Sequence, residues 1–197
     1  ERSTYIHAVE TGMSSDPGMN WRISSLDTYN LVSFSDAHSM YPWRIGREAT
    51  MFDCALQYKK ILQAIRDPEG KGIQQTIETY PEYGKYHIDG HRACNVVLEP
   101  GESNKLGKQC PECKKELTIG VMQRVNYLAS KSVQDLAIAK DDLGFIRSQT
   151  YKNRPAYKML VPLIEILSEA QKSGQTSKTV IDEYNKLVAK FGSELSI

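Results

Sequence analysis

The stretch HRACNVVLEPGESNKLGKQCPEC, residues 91–113, opens on His91-Arg92-Ala93-Cys94 and closes on Cys110-Pro111-Glu112-Cys113. Each end carries two ligand-type side chains three residues apart. Two such knuckles can wrap one tetrahedral ion, and thiolate and imidazole are the donors Zn²⁺ prefers. Spacing selects His91 over His87, because only His91 repeats the interval seen between Cys110 and Cys113. The segment is rich in Gly, Pro and charge, too polar to build an apolar core, so a structural Zn²⁺ would supply its folding energy. Cys54, in Met51-Phe52-Asp53-Cys54-Ala55-Leu56, reads as a small core residue.

With the metal module fixed at about 81–129, the flanks read as different kinds of structure. Residues 1–80 carry short β-like runs, at Tyr5 to Val9, Leu31 to Phe34 and Glu48 to Phe52, then a helix from Leu56 to Arg66 and a strand from Ile73 to Thr79. The helix would be capped by Asp53, stopped by Asp67-Pro68, and would align Tyr58, Ile61, Leu62 and Ile65 on one face. Strand, helix, strand points to α/β architecture with parallel strands. At the end of the module, Thr118 to Ala129 reads as a helix. Residues 130–157 are polar and weakly patterned, and read as a linker or irregular segment. Residues 158–197 read as a helical hairpin, Met159 to Lys172 and Ser177 to Phe191, joined by a short turn.

The totals exclude several classes. There are 25 basic and 24 acidic residues, so any nucleic-acid surface must be local rather than global. No apolar run reaches membrane-spanning length, so no membrane partner is expected. No secretory signal opens the chain, and the cysteines have metal spacing. A reducing, cytoplasmic compartment is therefore expected. The chain lacks an initiator Met, which suggests an excised piece.

Chemistry concentrates after the first two strands. Asp36 and His38, in Ser35-Asp36-Ala37-His38-Ser39, follow an apolar run two residues apart. On an extended backbone they would point the same way, at the strand end where α/β active sites lie. They could bind a divalent metal or form a surface hydrogen bond. The Gly/Ser-rich loop Glu10 to Arg22 could approach a phosphate with its N–H groups. Within it, Asn20, Trp21 and Arg22 could hold a base and a phosphate, or Trp21 could enter the core. Trp43-Arg44-Ile45-Gly46-Arg47 repeats the aromatic-plus-arginine pairing. Arg44 and Arg47 would meet an anion or pair with Glu48 and Asp53.

Taken together, Glu10-Thr-Gly-Met-Ser-Ser-Asp-Pro, Met19-Asn-Trp-Arg, Ser35-Asp-Ala-His-Ser, Trp43-Arg-Ile-Gly-Arg-Glu-Ala, Tyr80-Pro-Glu-Tyr-Gly-Lys-Tyr-His-Ile-Asp-Gly-His-Arg-Ala-Cys and Cys110-Pro-Glu-Cys resemble the last part of a PHP (polymerase and histidinol phosphatase) domain. More narrowly, they resemble the endonuclease Q family. The likeness resumes at Leu160-Val-Pro-Leu-Ile-Glu-Ile and Phe191-Gly-Ser-Glu-Leu.

The resemblance implies a partial PHP-type β/α barrel, then a zinc-binding module and a helical segment. It implies a metal-dependent hydrolase of DNA repair, cutting beside a deaminated base or an abasic site. Asp36 and His38 would be the barrel's last metal-ligand motif, holding Mg, Mn or Zn. On composition more than on the resemblance, Arg22, Arg44 and Arg47 would contact phosphates, and Trp21, Tyr83 and Tyr86 are available to wall a flipped base.

PHP sites begin with His-x-His, which this chain lacks. The remaining ligands are therefore expected before Glu1, and the chain alone is expected to be inactive and able to self-associate through exposed strand faces. Two other readings stay open: a zinc-stabilised module that binds nucleic acid or protein without catalysis, and a PHP-type phosphatase for a small substrate.

Overall fold

The computed structural model describes residues 3–197 and holds three sheets. The first pairs two parallel strands, β1 (Ala8–Glu10) and β2 (Asn30–Val32), with Val9 opposite Leu31. Between them lies one turn of helix, α1 (Pro17–Trp21). Asp16 caps it by accepting from the Met19 N–H at 2.7 Å, and Pro17 supplies a preset φ at its first position.

The second sheet is mixed. β3 (Ala49–Phe52) runs antiparallel to β4 (Ile73–Glu78), and α2 (Tyr58–Arg66) connects them. β4 then pairs in parallel with β9 (Ala156–Met159), followed outward by β8 (Ile146–Ser148) and β7 (Ile138–Lys140), both antiparallel. The expected linker over 130–157 is thus replaced by half of a sheet. Its strands are only three or four residues long, too short for an alternating pattern to register. Leu136, 1% exposed, and Ala156 and Tyr157 anchor them. Parallel pairing holds for β1/β2 and β4/β9, while β3/β4 departs from the all-parallel expectation.

The third sheet is the hairpin β5 (Asp89–His91) and β6 (Val96–Leu98). Asn95, in a left-handed conformation, makes its turn. α3 (Pro100–Lys105) and α4 (Val121–Leu128) flank it. Two helices close the chain, α5 (Leu163–Ala170) and α6 (Lys178–Phe191). The first starts four residues later than the pattern suggests, because β9 claims Ala156–Met159 and Pro162 sets the start.

Three apolar clusters join these parts. Trp21, Leu31, Leu136 and Tyr157 knit the first sheet to the second. Met19, Ile23 and Val125 fasten α1 to α4. Trp43 packs with Leu163, Ile164, Val180 and Tyr184, its ring edge-on to Tyr184 at 5.7 Å. Trp43 is therefore a docking point for the helical pair rather than a ligand platform. On α2 the expected apolar stripe is half-covered at best. Tyr58 is exposed and Ala64 is the buried residue; Gln57, not Asp53, precedes the helix. Cys54 is half-buried rather than in a core. No helix among the described residues is long and apolar enough to cross a membrane.

Candidate metal centre and cleft

The hairpin turn and the Cys110–Cys113 knuckle bring four donors together. One ligand atom each from His91, Cys94, Cys110 and Cys113 lies within 4.8 Å of all the others. His91 Nδ1 and Cys113 Sγ are 3.5 Å apart. Three sulfurs and one imidazole at this separation suit a closed tetrahedral Zn²⁺ site. Burial pushes the Cys110 thiol up, but the backbone N–H groups of Cys113 and Glu112 outweigh it and leave its pKa below the usual thiol value. Those amides favour the thiolate that a metal needs.

Asp89 is the beam under this site. Its carboxylate is fully buried, accepting from the Ser103 hydroxyl and from the Gly120 N–H at 2.6 Å. It fixes β5 to α3 and to the start of α4, two residues from His91. Two glycines permit the close approach. A Cβ on Gly120 would stand 2.4 Å from the Ile88 carbonyl carbon, and one on Gly84 would stand 2.3 Å from Ser14 Oγ. His87 adds a bond from its ring Nδ1 to the Ser14 carbonyl at 3.0 Å. The His/Cys module is in this way held against the Gly12–Ser15 loop.

That junction forms a cleft of about 530 Å³, lined among others by Gly12, Ser14, Asp36, His38, Tyr83 and Tyr86. Asp36 and His38 do meet there, but not as neighbours on a strand. β2 ends at Val32, and Asp36 sits at φ +44° in a turn. His38 Nε2 and Asp36 Oδ2 are 3.2 Å apart, with side chains 86% and 71% exposed. Glu10, Glu48 and Lys85 line the same cleft. None of the three stands out in the sequence, because each is a single charge in a mixed run. Glu48 is the least expected, since nothing local to it signals burial.

The other sequence candidates separate. Trp21 is 2% exposed and meets Tyr157 edge-on, so it cannot stack on a base. Asn20 spends its amide on Ser15 Oγ and the Asp16 carbonyl. Arg22 reaches Asn126 Oδ1 at 2.9 Å and the Lys131 carbonyl at 3.4 Å, tying α1 to α4. Arg44 reaches Gln175 Oε1 at 3.4 Å. Arg47 contacts Met13 Sδ and the Ser35 carbonyl, and its buried Nε lacks a partner among the described residues. Neither Arg44 nor Arg47 pairs with Glu48 or Asp53. Of Arg22, Arg44 and Arg47, Arg47 is the one that stands beside the cleft with capacity to spare.

Beneath the cleft, Glu78 is 1% exposed and accepts hydroxyls from Thr76 at 2.6 Å, Ser33 at 2.8 Å and Thr11 at 2.9 Å. Desolvation outweighs these bonds and, with Glu48 nearby, pushes its pKa up to about 7.

Over nearly its whole length the chain superposes on a solved lesion-specific endonuclease, PfuEndoQ from Pyrococcus furiosus. The TM-score is 0.78 and the identity 30%, covering 98% of this chain and 46% of that one. This chain is a relative of the endonuclease Q family. A second endonuclease Q structure, solved in complex with a 27-mer duplex carrying an abasic lesion at the active site, matches with a TM-score of 0.80. Its identity is 30%, over 96% of this chain and 44% of that one.

Residues 162–197 match the family model described as the MJ0043 C-terminal domain. The uncharacterized protein MJ0043 of Methanocaldococcus jannaschii is 27% identical over 96% of this chain. The uncharacterized protein YqxK of Bacillus subtilis is 30% identical over 64% of it. The chain spans 22% and 31% of these two relatives, and under half of each endonuclease Q structure.

Proposed function

We propose that this chain is part of a metal-dependent endonuclease of DNA repair, one that hydrolyses a phosphodiester beside a deaminated base or an abasic site. The observation that carries this reading is the cleft. Asp36, His38, Tyr83 and Tyr86 line it together, in a chain that shares its fold with an endonuclease Q bound to abasic DNA. β1 and β2 are read as the closing strands of a PHP-type barrel.

In the cleft Asp36 and His38 would hold a divalent cation, Mg, Mn or Zn, which would polarise the phosphoryl oxygens and lower the pKa of a bound water. The Gly12–Ser14 loop and Arg47 would receive the phosphate, and Lys85 would attract the strand. Tyr83 and Tyr86, both exposed at the rim, offer flat surfaces for an unstacked base. The zinc module is structural, because its four protein donors leave no open position. A cytoplasmic, reducing location would keep its thiols available. Self-association gains no support from the comparisons and is not part of this reading.

The test compares the full-length protein, of which this chain is proposed to be part, carrying Asp36→Ala with the unaltered full-length protein on abasic and uracil-containing duplexes with Mn²⁺. Cutting is expected to fall at least about a hundredfold, with duplex binding kept within about threefold. Unchanged cutting would overturn the assignment. One observation favours the second reading, a zinc-stabilised binding module. Among the described residues, the only group of three or more potential donors already gathered is the His/Cys cluster. Duplex binding without cutting in both proteins would select it.

A further inference from the structure

Glu48 is the group in the cleft that its neighbours leave unsatisfied. Thr79 Oγ1 donates to its Oε1 at 2.5 Å, while its Oε2 is buried with no hydrogen-bond partner among the described residues. The whole residue is 2% exposed. The register that pairs Ala49 with Ile77 puts Glu48 opposite Glu78 across two antiparallel strands, where like charges oppose stability. The pair is treated unequally. Glu78 receives three hydroxyls, and Glu48 receives one. A buried carboxylate oxygen with nothing donated to it is costly unless a cation or a donor arrives from outside.

The outside is the cleft, since Glu48 lines it together with Asp36 and His38. The backbone couples them as well. Ser35 Oγ donates to the Glu48 carbonyl at 2.9 Å and accepts from the Gly46 N–H at 2.7 Å. The segment that carries Asp36 is thereby stitched to Glu48, the residue just before β3.

We propose that Glu48 is a positioning residue for a divalent cation at the Asp36/His38 end of the cleft, its carboxylate turning the unsatisfied Oε2 outward to accept a hydrogen bond from a water of the cation's hydration shell. This rests on the nuclease reading above. Contact is taken through water rather than directly, since among the described residues Glu48 is not gathered with Asp36 and His38 in a group of donors within 4.8 Å. Mg²⁺ and similar hard cations keep several waters and bind through few carboxylates, so an outer carboxylate has a shell to address. Such outer partners orient the ligands and hold affinity.

Mn²⁺ titration of the zinc-loaded chain, followed by electron paramagnetic resonance, tests this without reference to activity. Glu48→Gln keeps the size of the side chain and its bond from Thr79, but removes the charge. Its Mn²⁺ affinity is expected to fall about tenfold or more, and Asp36→Asn is expected to lower affinity at least as far. Affinity unchanged in Glu48→Gln overturns the proposal and marks Glu48 as a structural residue. If Asp36→Asn still weakens binding in that case, the nuclease reading stands. If neither substitution matters, or the unaltered chain binds no Mn²⁺, the proposal fails, and the nuclease reading is decided by cutting in the full-length protein. Should Glu48→Gln not fold, substoichiometric Mn²⁺ added to the ¹⁵N-labelled unaltered chain is to broaden the amide of Glu48 together with those of Asp36 and His38. A Glu48 amide that stays sharp overturns the proposal.

Discussion

The buried Glu78 makes stability depend on pH in a direction opposite to that of a salt-bridged carboxylate. Its pKa rises from an ordinary 4.5 to about 7 on folding, first through desolvation and only then moderated by Thr76, Ser33 and Thr11. Between these two values the folded chain holds a proton that the unfolded chain has released. Stability is therefore fully present below pH 4.5, falls as pH rises, and levels off above about 7. At about 1.4 kcal/mol per tenfold change in proton affinity, the interval amounts to about 3 kcal/mol. The side chain is 1% exposed, so solvent screening removes little of this.

Glu78→Gln, which is always neutral, removes the dependence while keeping an acceptor for the hydroxyls. Urea unfolding at pH 5 and pH 8, without added divalent cations, measures it. With a slope of roughly 2 kcal/mol per molar urea, the midpoint of the unaltered chain is expected to drop by about 1–1.5 M between the two pH values. The midpoint of Glu78→Gln is expected to move far less. Equal pH dependence in the two chains would show that another group carries it, and the desolvation argument would be wrong.

Three further outcomes follow from the same geometry. Cys110→Ser is expected to abolish the tight binding of about one Zn²⁺ per chain, as read by elemental analysis. Amide protection over residues 89–118 should be lost with it, while β4 and β9 keep theirs. Asp89→Ala strands the Gly120 N–H and the Ser103 hydroxyl. It is expected to cost about 2–4 kcal/mol in chemical denaturation and to weaken Zn²⁺ retention, because β5 carries His91. Trp21→Ala empties the centre of a core cluster and is expected to cost about 3–5 kcal/mol. Duplex binding per folded molecule should stay within about twofold, whereas a large loss at a temperature where the variant is folded would restore Trp21 as a ligand contact.

The zinc donors were readable because short-range spacing is nearly the whole geometry of a knuckle. Residues three apart must meet if the backbone turns, and hairpin and knuckle do turn at Asn95 and between Cys110 and Lys114. The helical pair was readable for a similar reason, since its apolar period repeats through two long segments. Residues 130–157 were not, because three-residue strands owe their existence to partners far away: β9 exists through β4, and β7 through β8. The same blindness affected the aromatic residues. Trp21 and Trp43 sit in polar, arginine-containing contexts that suggest a ligand, yet each is claimed by apolar residues more than a hundred positions downstream.

By itself, then, the order of residues determined the four donors that gather as a candidate metal site, the existence of the last two helices, and the closeness of Asp36 and His38. Each depends on separations of a few residues, which chain geometry converts directly into distance. Only the tertiary structure decided what surrounds that pair. Glu48 and Glu78 came to face each other because two strands paired in one register. Tyr83 and Tyr86 came to the cleft because Gly84 lets its backbone press against Ser14. Burial and charge environment are set by the sum of distant contacts, so no local pattern could carry them.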